Sequence, residues 1–163
     1  MDFDKIIKTF TDQPELAFRY CVIFARFEYA LKETGFLNND KGSAQANWDV
    51  FANSLKGKFS AVQDADFTGA VAFLKASPPR KQVVVSVGTD WKDSVQGAGD
   101  TDEQFVIRLI RVVRNNLFHG GKSFTDGEKV VGRNAELMKA GLVVMEQCLK
   151  LTPDVLVAFE KTD

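Results

Sequence analysis

Apolar and polar positions along this chain recur with the period of helices and almost nowhere with the period of strands. In "TDQPELAFRYCVIFARFEYALKETGF", residues 11–36, Phe24, Phe27 and Leu31 fall on one line, and Phe18, Val22, Ala25 and Tyr29 on another. Two lines make a wide apolar stripe, which predicts a deeply packed first helix. Thr11 or Asp12 stands where a cap is needed, Pro14 suits the first turn, and Gly35 suits the exit. "SAQANWDVFANSL", residues 43–55, reads as a second helix, with Ser43 as its candidate cap and Trp48, Phe51 and Leu55 at helical spacing. "DFTGAVAFLKA", residues 66–76, reads as a third, stopped by Ser77-Pro78-Pro79.

The pattern then changes. "QVVVSV", residues 82–87, favours a short extended piece, but no clear partner strand follows. Residues of about 77–100 therefore read as a long irregular insertion with one or two extended pieces. "GAGDTDEQ" restarts a helix: Thr101 and Gln104 have capping-box spacing, and Asp102 and Glu103 suit a helix N-terminus. This helix is expected to run to about His119, where Gly120-Gly121 supplies an exit. A second long helix is expected over roughly Gly127 to Leu151, and "PDVLVAFEK" makes a short last one. The whole predicts a single all-α domain over residues 1–163, a bundle of four to six helices with one long insertion.

In the helix ending near His119, Phe105, Val106, Leu109, Ile110, Val112, Val113 and Leu117 cover most of the circumference at about 100° per residue. Such a helix belongs at the centre of a bundle. Its polar exception is a narrow stripe of Arg108, Arg111, Asn115 and His119. Burying those charges unpaired is costly, so the stripe should face water, an acidic partner or a subunit interface. Glu28, inside the apolar run of the first helix, is a candidate counter-charge and a candidate member of the site; its plainer reading is a pair with Lys32 one turn on. His119 is the only histidine of the chain. The exposed carbonyls of a last helical turn favour its imidazolium and raise its pKa above the reference of about 6.5. A histidine so placed can exchange a proton near neutrality, although histidine is also simply a good residue for a helix end.

Composition narrows the classes. The 163 residues are 45% hydrophobic, enough for a core, and the 14 phenylalanines suggest one packed by large rings. A net charge of −1 advertises no global field for nucleic acid, so any basic site must be local. Cys21 and Cys148 read as buried free thiols. Scattered carboxylates and few His or Cys ligands point away from a metal site, and no cofactor motif is present. "GGK" at residues 120–122 lacks the strand, glycine and helix of a phosphate loop. Trp48 reads as core, Trp91 as a possible stacking ring, and "PPRK" at residues 78–81 as a solvated helix stop. With no apolar leader in residues 1–10 and no run of membrane-spanning length, a cytoplasmic protein that does not enter the membrane is expected.

"RNNLFH", residues 114–119, resembles the R-x4-6-H signature of the HEPN superfamily, all-α domains found in many prokaryotic ribonucleases and toxins. Arg114 matches the arginine, His119 the histidine, and Asn115 the polar residue that often follows the arginine. Upstream, "RFEYALK" at residues 26–32 is similar to the first long helix of small standalone members. The two anchors span Arg26 to His119.

That resemblance implies a metal-independent endoribonuclease, a toxin or defence effector, acting as a homodimer whose two motifs face each other. It implies catalytic roles for Arg114, His119 and Asn115, with Arg114 clamping the scissile phosphate through its planar fork. Arg111 and Lys122 become auxiliary phosphate contacts, with Arg108 beside them. It also implies an RNA substrate and leaves room for an antitoxin or other partner protein. Some members carry a modified tyrosine two residues after the histidine; here that position is Gly121. The alternative is an inactive HEPN-like module that binds RNA, a nucleotide or a partner protein, which the acidic balance favours. Arg114 and His119 lie about 140° apart around an ideal helix, so a shared target needs a distorted last turn, a long reach, or a second copy of the chain.

Overall fold

The computed structural model describes residues 2–4, 11, 13–38, 42–118 and 132–161. Among them are six α-helices and one small sheet. In chain order they are α1 (Pro14–Glu33), α2 (Trp48–Ser54), a 3-10 turn (Phe59–Ala61), α3 (Ala65–Ala76), β1 (Lys81–Val84), β2 (Thr89–Lys92), α4 (Asp102–Phe118), α5 (Arg133–Lys150) and α6 (Pro153–Glu160). The protein is an all-α bundle. Helix α4 touches α1, α2, α3 and α5, so it packs on several sides, as its apolar circumference required, and shares the centre of the bundle with α5. No helix among the described residues is long and apolar enough to cross a membrane.

Helix α1 begins at Pro14, but Thr11 is not its cap. The N-cap is Gln13 with no side-chain cap bond, and the Thr11 hydroxyl accepts from the Gln13 amide at 3.0 Å; Asp12 lies outside the described residues. At the other end Phe36 N donates to Leu31 O at 2.9 Å and Gly35 N to Lys32 O at 3.4 Å, a Schellman closure that needs the positive φ of Gly35. Phe24, Phe27 and Leu31 are buried as expected. The second line does not pack: Phe18 is 72% exposed, Val22 47%, and Ala25 is exposed too. The buried stripe instead widens through Ala17, Tyr20 and Ala30. Periodicity fixed the stripe's centre but not which flank meets a neighbour.

Helix α2 is shorter than expected. Leu37 and Ala46 form an antiparallel bridge, and Asn47 N donates to Phe36 O at 2.8 Å, so the chain before Trp48 is committed to extended pairing. The cap is therefore Asn47, whose side chain accepts from Val50 N at 3.0 Å, not Ser43. Trp48, Phe51 and Leu55 are buried, and Trp48 stacks on Phe24 and Phe27 at centroid distances of 4.9 and 5.3 Å. Helix α3 starts on the Asp64 cap and stops at Ser77, as the prolines dictate.

The insertion is not wholly irregular. β1 has a partner: β2, "TDWK", pairs with it antiparallel from Lys81↔Lys92 to Val84↔Thr89. The partner was missed because Thr-Asp-Trp-Lys shows no apolar alternation. "PPRK" is no solvated stop either. Pro79 is buried, and the Arg80 carbonyl accepts from the Asn116 side chain at 2.9 Å.

Thr101 and Gln104 close the capping box that opens α4: Thr101 N donates to Gln104 Oε1 at 2.8 Å, and Gln104 N to Thr101 Oγ1 at 3.3 Å. Glu103 does more than favour a helix terminus. It is buried and accepts from the amides of Gly57 and Phe59 at 3.0 and 3.2 Å, tying the turn after α2 to α4. Helix α5 is described from Arg133, with Gly132 as N-cap; the expected residues 127–131 lie outside the described chain. Cys148 is buried, but Cys21 is only half-buried, contrary to expectation, because it sits on the flank of α1 that leaves the core.

The tightest junction joins α1, α4 and α5. Tyr20 is fully buried and its hydroxyl donates to the Ile110 carbonyl at 2.9 Å. A Cβ at Gly141 of α5 would lie 2.8 Å from the ring and the hydroxyl of Tyr20. Alanine for a mid-helix glycine ordinarily gains about 1 kcal/mol. Here the ring is enclosed, so Gly141→Ala is expected to destabilise by about 1–3 kcal/mol through overpacking. Tyr20→Phe should cost about 1 kcal/mol. Chemical denaturation measures both; a Gly141→Ala variant more stable than the parent would refute the close packing.

Candidate functional site

The site built on α4 begins with the fate of its arginines. Arg108 pairs with Asp100, just before the helix, and its guanidinium stands over the Phe105 ring at 5.4 Å. Arg111 pairs with Asp49 of α2 at 3.2 Å. The acidic partners required by the stripe are thus inside the chain, and they are not Glu28. Glu28 instead accepts the Trp48 indole N–H at 3.0 Å, so it is an anchor of the aromatic core and makes no ion pair among the described residues. Burial of Trp48 left its one donor to be satisfied, and Glu28 lies within reach.

Arg114 differs. Its guanidinium lies 4.3 Å from the Phe118 ring centroid and 5.6 Å from that of Phe24, and Nη1 donates to Asn115 Oδ1 at 3.2 Å. Among the described residues it meets no carboxylate. The rings hold a cation by their π faces without neutralising it, and among the described residues they leave most of the fork open for an anion. The Cys21 thiol lies near enough to feel that charge: burial pushes its pKa up and Arg114 pulls it back down. His119 and Lys122 lie outside the described residues, as do Gly120 and Gly121. Helix α4 is described to Phe118, and its expected end at about His119 lies outside the described residues.

Asn115 is exposed and faces a cleft of about 310 Å³ between the β1–β2 hairpin and the end of α4. Sequence reasoning missed this cleft because it missed β2. Asn116, to which the sequence pattern assigns no role, anchors the hairpin through its bond to the Arg80 carbonyl. Arg80 Nε lies 3.0 Å from Asp93, and Arg133 of α5 donates to the Pro78 carbonyl at 2.9 Å. Arg26, the arginine of "RFEYALK", lies at the far end of α1's contact with α6. It donates to the carbonyls of Phe159 at 2.8 Å, Ala158 at 3.4 Å and Lys161, and it lies over the Tyr29 ring. That is a helix C-terminal cap for α6 and leaves Arg26 outside the site.

Among the described residues no three His, Cys, Asp or Glu side chains gather as a metal-holding group. The carboxylates that approach α4 are structural. Hydrogen bonds from Arg108 and the Gly97 amide hold the Asp100 carboxyl below its usual range. A hydrogen bond from Lys75, aided by Gln96, does the same for Asp102. Groups that ionise more easily when folded add stability that is present above their unfolded range, near 3.8, and lost as pH falls through the lowered folded values. The thermal midpoint of Asp100→Asn/Asp102→Asn should therefore fall below the parent's at neutral pH, and the two should converge in acid. A gap that persists unchanged into strong acid would assign the loss to something other than charge.

No protein-family profile, curated protein or solved structure shows significant similarity to the chain.

Proposed function

We propose that this protein is a metal-independent endoribonuclease of the HEPN type, a toxin or defence effector, with Arg114 and His119 as its reacting pair. The observation that carries the reading is the state of Arg114. Arg108 and Arg111 are engaged by carboxylates, while Arg114 is held between two rings with its charge uncompensated among the described residues. A cation positioned in this way matches the need to bind a phosphodiester and the charge that grows on it.

The chemistry is self-consistent without a metal. A base takes the proton of the RNA 2′-hydroxyl. The 2′-oxygen bonds to phosphorus, the bond to the 5′-oxygen breaks, and an acid returns a proton to that leaving oxygen. One histidine per chain fits this scheme best when two chains supply two. Exposed Phe18 and Val22 on α1 and 57%-exposed Phe118 beside Arg114 give a second copy an apolar surface to cover. Asn115, bonded to Arg114, orients that guanidinium. Lys122 serves as an outlying phosphate contact, while Arg111 and Arg108 hold Asp49 and Asp100 and so support α4. The second reading is a HEPN-like module that binds RNA, a nucleotide or a partner protein without cutting; it is favoured by the neutralisation of Arg108 and Arg111, which leaves little basic surface on α4.

The test is incubation of the purified full chain with total RNA in chelator. Cleavage leaving 2′,3′-cyclic phosphate ends is expected. His119→Ala should slow it by about 10²–10⁴ and Arg114→Ala by about 10²–10³, with little change in melting temperature. Ile110→Ala, a fully buried deletion in the same helix, should instead cost about 2–5 kcal/mol; Leu117 is only partly buried and is the poorer scaffold control. Cleavage that requires added Mg²⁺ and leaves 3′-hydroxyl ends would overturn the chemistry. A strictly monomeric mass at micromolar concentration would overturn the shared site.

A further inference from the structure

We propose that the cleft between the β1–β2 hairpin and the end of α4 is a subsite for one nucleotide of single-stranded RNA, next to the phosphate held by Arg114. The assignment rests on the ribonuclease reading for its substrate and on the cleft's own chemistry for its place. The volume, about 310 Å³, is that of a small ligand pocket.

Its polar groups are half satisfied in a definite way. Asn115 Oδ1 accepts from Arg114, which leaves its Nδ2 as a free donor. Asn116 Nδ2 donates to the Arg80 carbonyl, which leaves its Oδ1 as a free acceptor. Gln82 Nε2 donates to Thr89 Oγ1 at 2.9 Å, which leaves Gln82 Oε1. Asn115, Asn116, Gln82 and Thr89 all line the cleft, and half-buried Val83 gives it an apolar surface. Donors and acceptors set beside an apolar surface match a base, which has a polar edge and flat apolar faces.

The hairpin also carries an unresolved charge. Lys81 and Lys92 are directly opposed across the two strands, both exposed, and neither makes an ion pair among the described residues. Like charges in that register destabilise a two-stranded ribbon. No described carboxylate pairs with either lysine: Asp93 is beside Arg80, and Asp90 turns to the Trp91 amide at 2.7 Å. An RNA phosphate at the mouth of the cleft, against Lys81, would offset that repulsion. The wider hollow near α3, about 890 Å³, has no such demand, since Lys75 and Asp102 pair there at 2.6 Å and Glu103 is bonded to backbone amides.

The experiment uses the full chain in two backgrounds. In His119→Ala, affinity for a fluorescein-labelled single-stranded RNA twelve-mer is read by anisotropy with and without Lys81→Ala/Gln82→Ala, and with Lys139→Ala as an exposed lysine on α5. Losing a charged contact and a base contact should weaken binding at least about tenfold, whereas Lys139→Ala changes it less than about twofold. In the otherwise native chain, the hairpin variant should also cut with a relaxed preference at the nucleotide beside the scissile phosphate. Equal RNA affinity and an unchanged cleavage pattern, in a variant whose melting temperature matches the parent, would overturn the subsite while leaving the ribonuclease intact. If the native chain cuts nothing but the hairpin variant still loses affinity, the subsite stands and the nuclease reading falls. If the twelve-mer does not bind at all but a mononucleotide does, the RNA subsite is overturned in favour of a free-nucleotide site.

Discussion

The orientation of the motif helix depends on one buried hydroxyl. Tyr20 reaches from α1 to the Ile110 carbonyl of α4, and its ring fits only because Gly141 of α5 has no side chain. Ile110 is one turn before Arg114, and Tyr20 is one turn before Phe24. The contact one turn further on is therefore Phe24 against Arg114. The same two helices that meet through a hydrogen bond inside the core meet through a ring and a cation at its edge. Burial raises the Tyr20 pKa well above its ordinary value, so the donor stays protonated wherever the fold survives. The angle at which Arg114 leaves the core is thereby set by packing, and not by the freedom of an exposed side chain.

Much of this was legible in the chain. The central place of α4 followed from apolar residues around most of its circumference, and its start from the Thr101–Gln104 spacing. Other features were hidden for identifiable reasons. β2 lacks alternation, so its partnership with β1 shows only once both strands are placed. Ser43 and Asn47 are both good caps, and the choice between them was made by the Leu37–Ala46 bridge, a contact between residues nine apart. Glu28 could not be assigned because its partner, the Trp48 indole, is a neutral donor that charge counting ignores. The pairings Arg108–Asp100 and Arg111–Asp49 needed the approach of loops and helices whose angles no periodicity encodes.

The candidate site is thus made of what the fold did not use. Of the three described arginines of α4, two hold neighbouring segments in place and one is left on an aromatic ledge. Asn115 and Asn116, adjacent in sequence, divide in the same manner: one faces the open cleft and the other secures the hairpin that forms its wall. Scaffold and site interleave at single-residue resolution along the same helical turn.

The cap that Arg26 places on α6 has a consequence for how the molecule opens. An eight-residue helix is marginal alone. Helix α6 persists because it docks on α1 and α5 and because a guanidinium neutralises the carbonyls at its end. On that ground it should open as a subsidiary unit, while Tyr20 still joins α1, α4 and α5. Its amides should exchange with solvent through that partial opening, on a faster clock than those of α4. Each such excursion would uncover the edge of Phe27 that Phe159 shields, one turn from the Phe24 ring against which Arg114 rests.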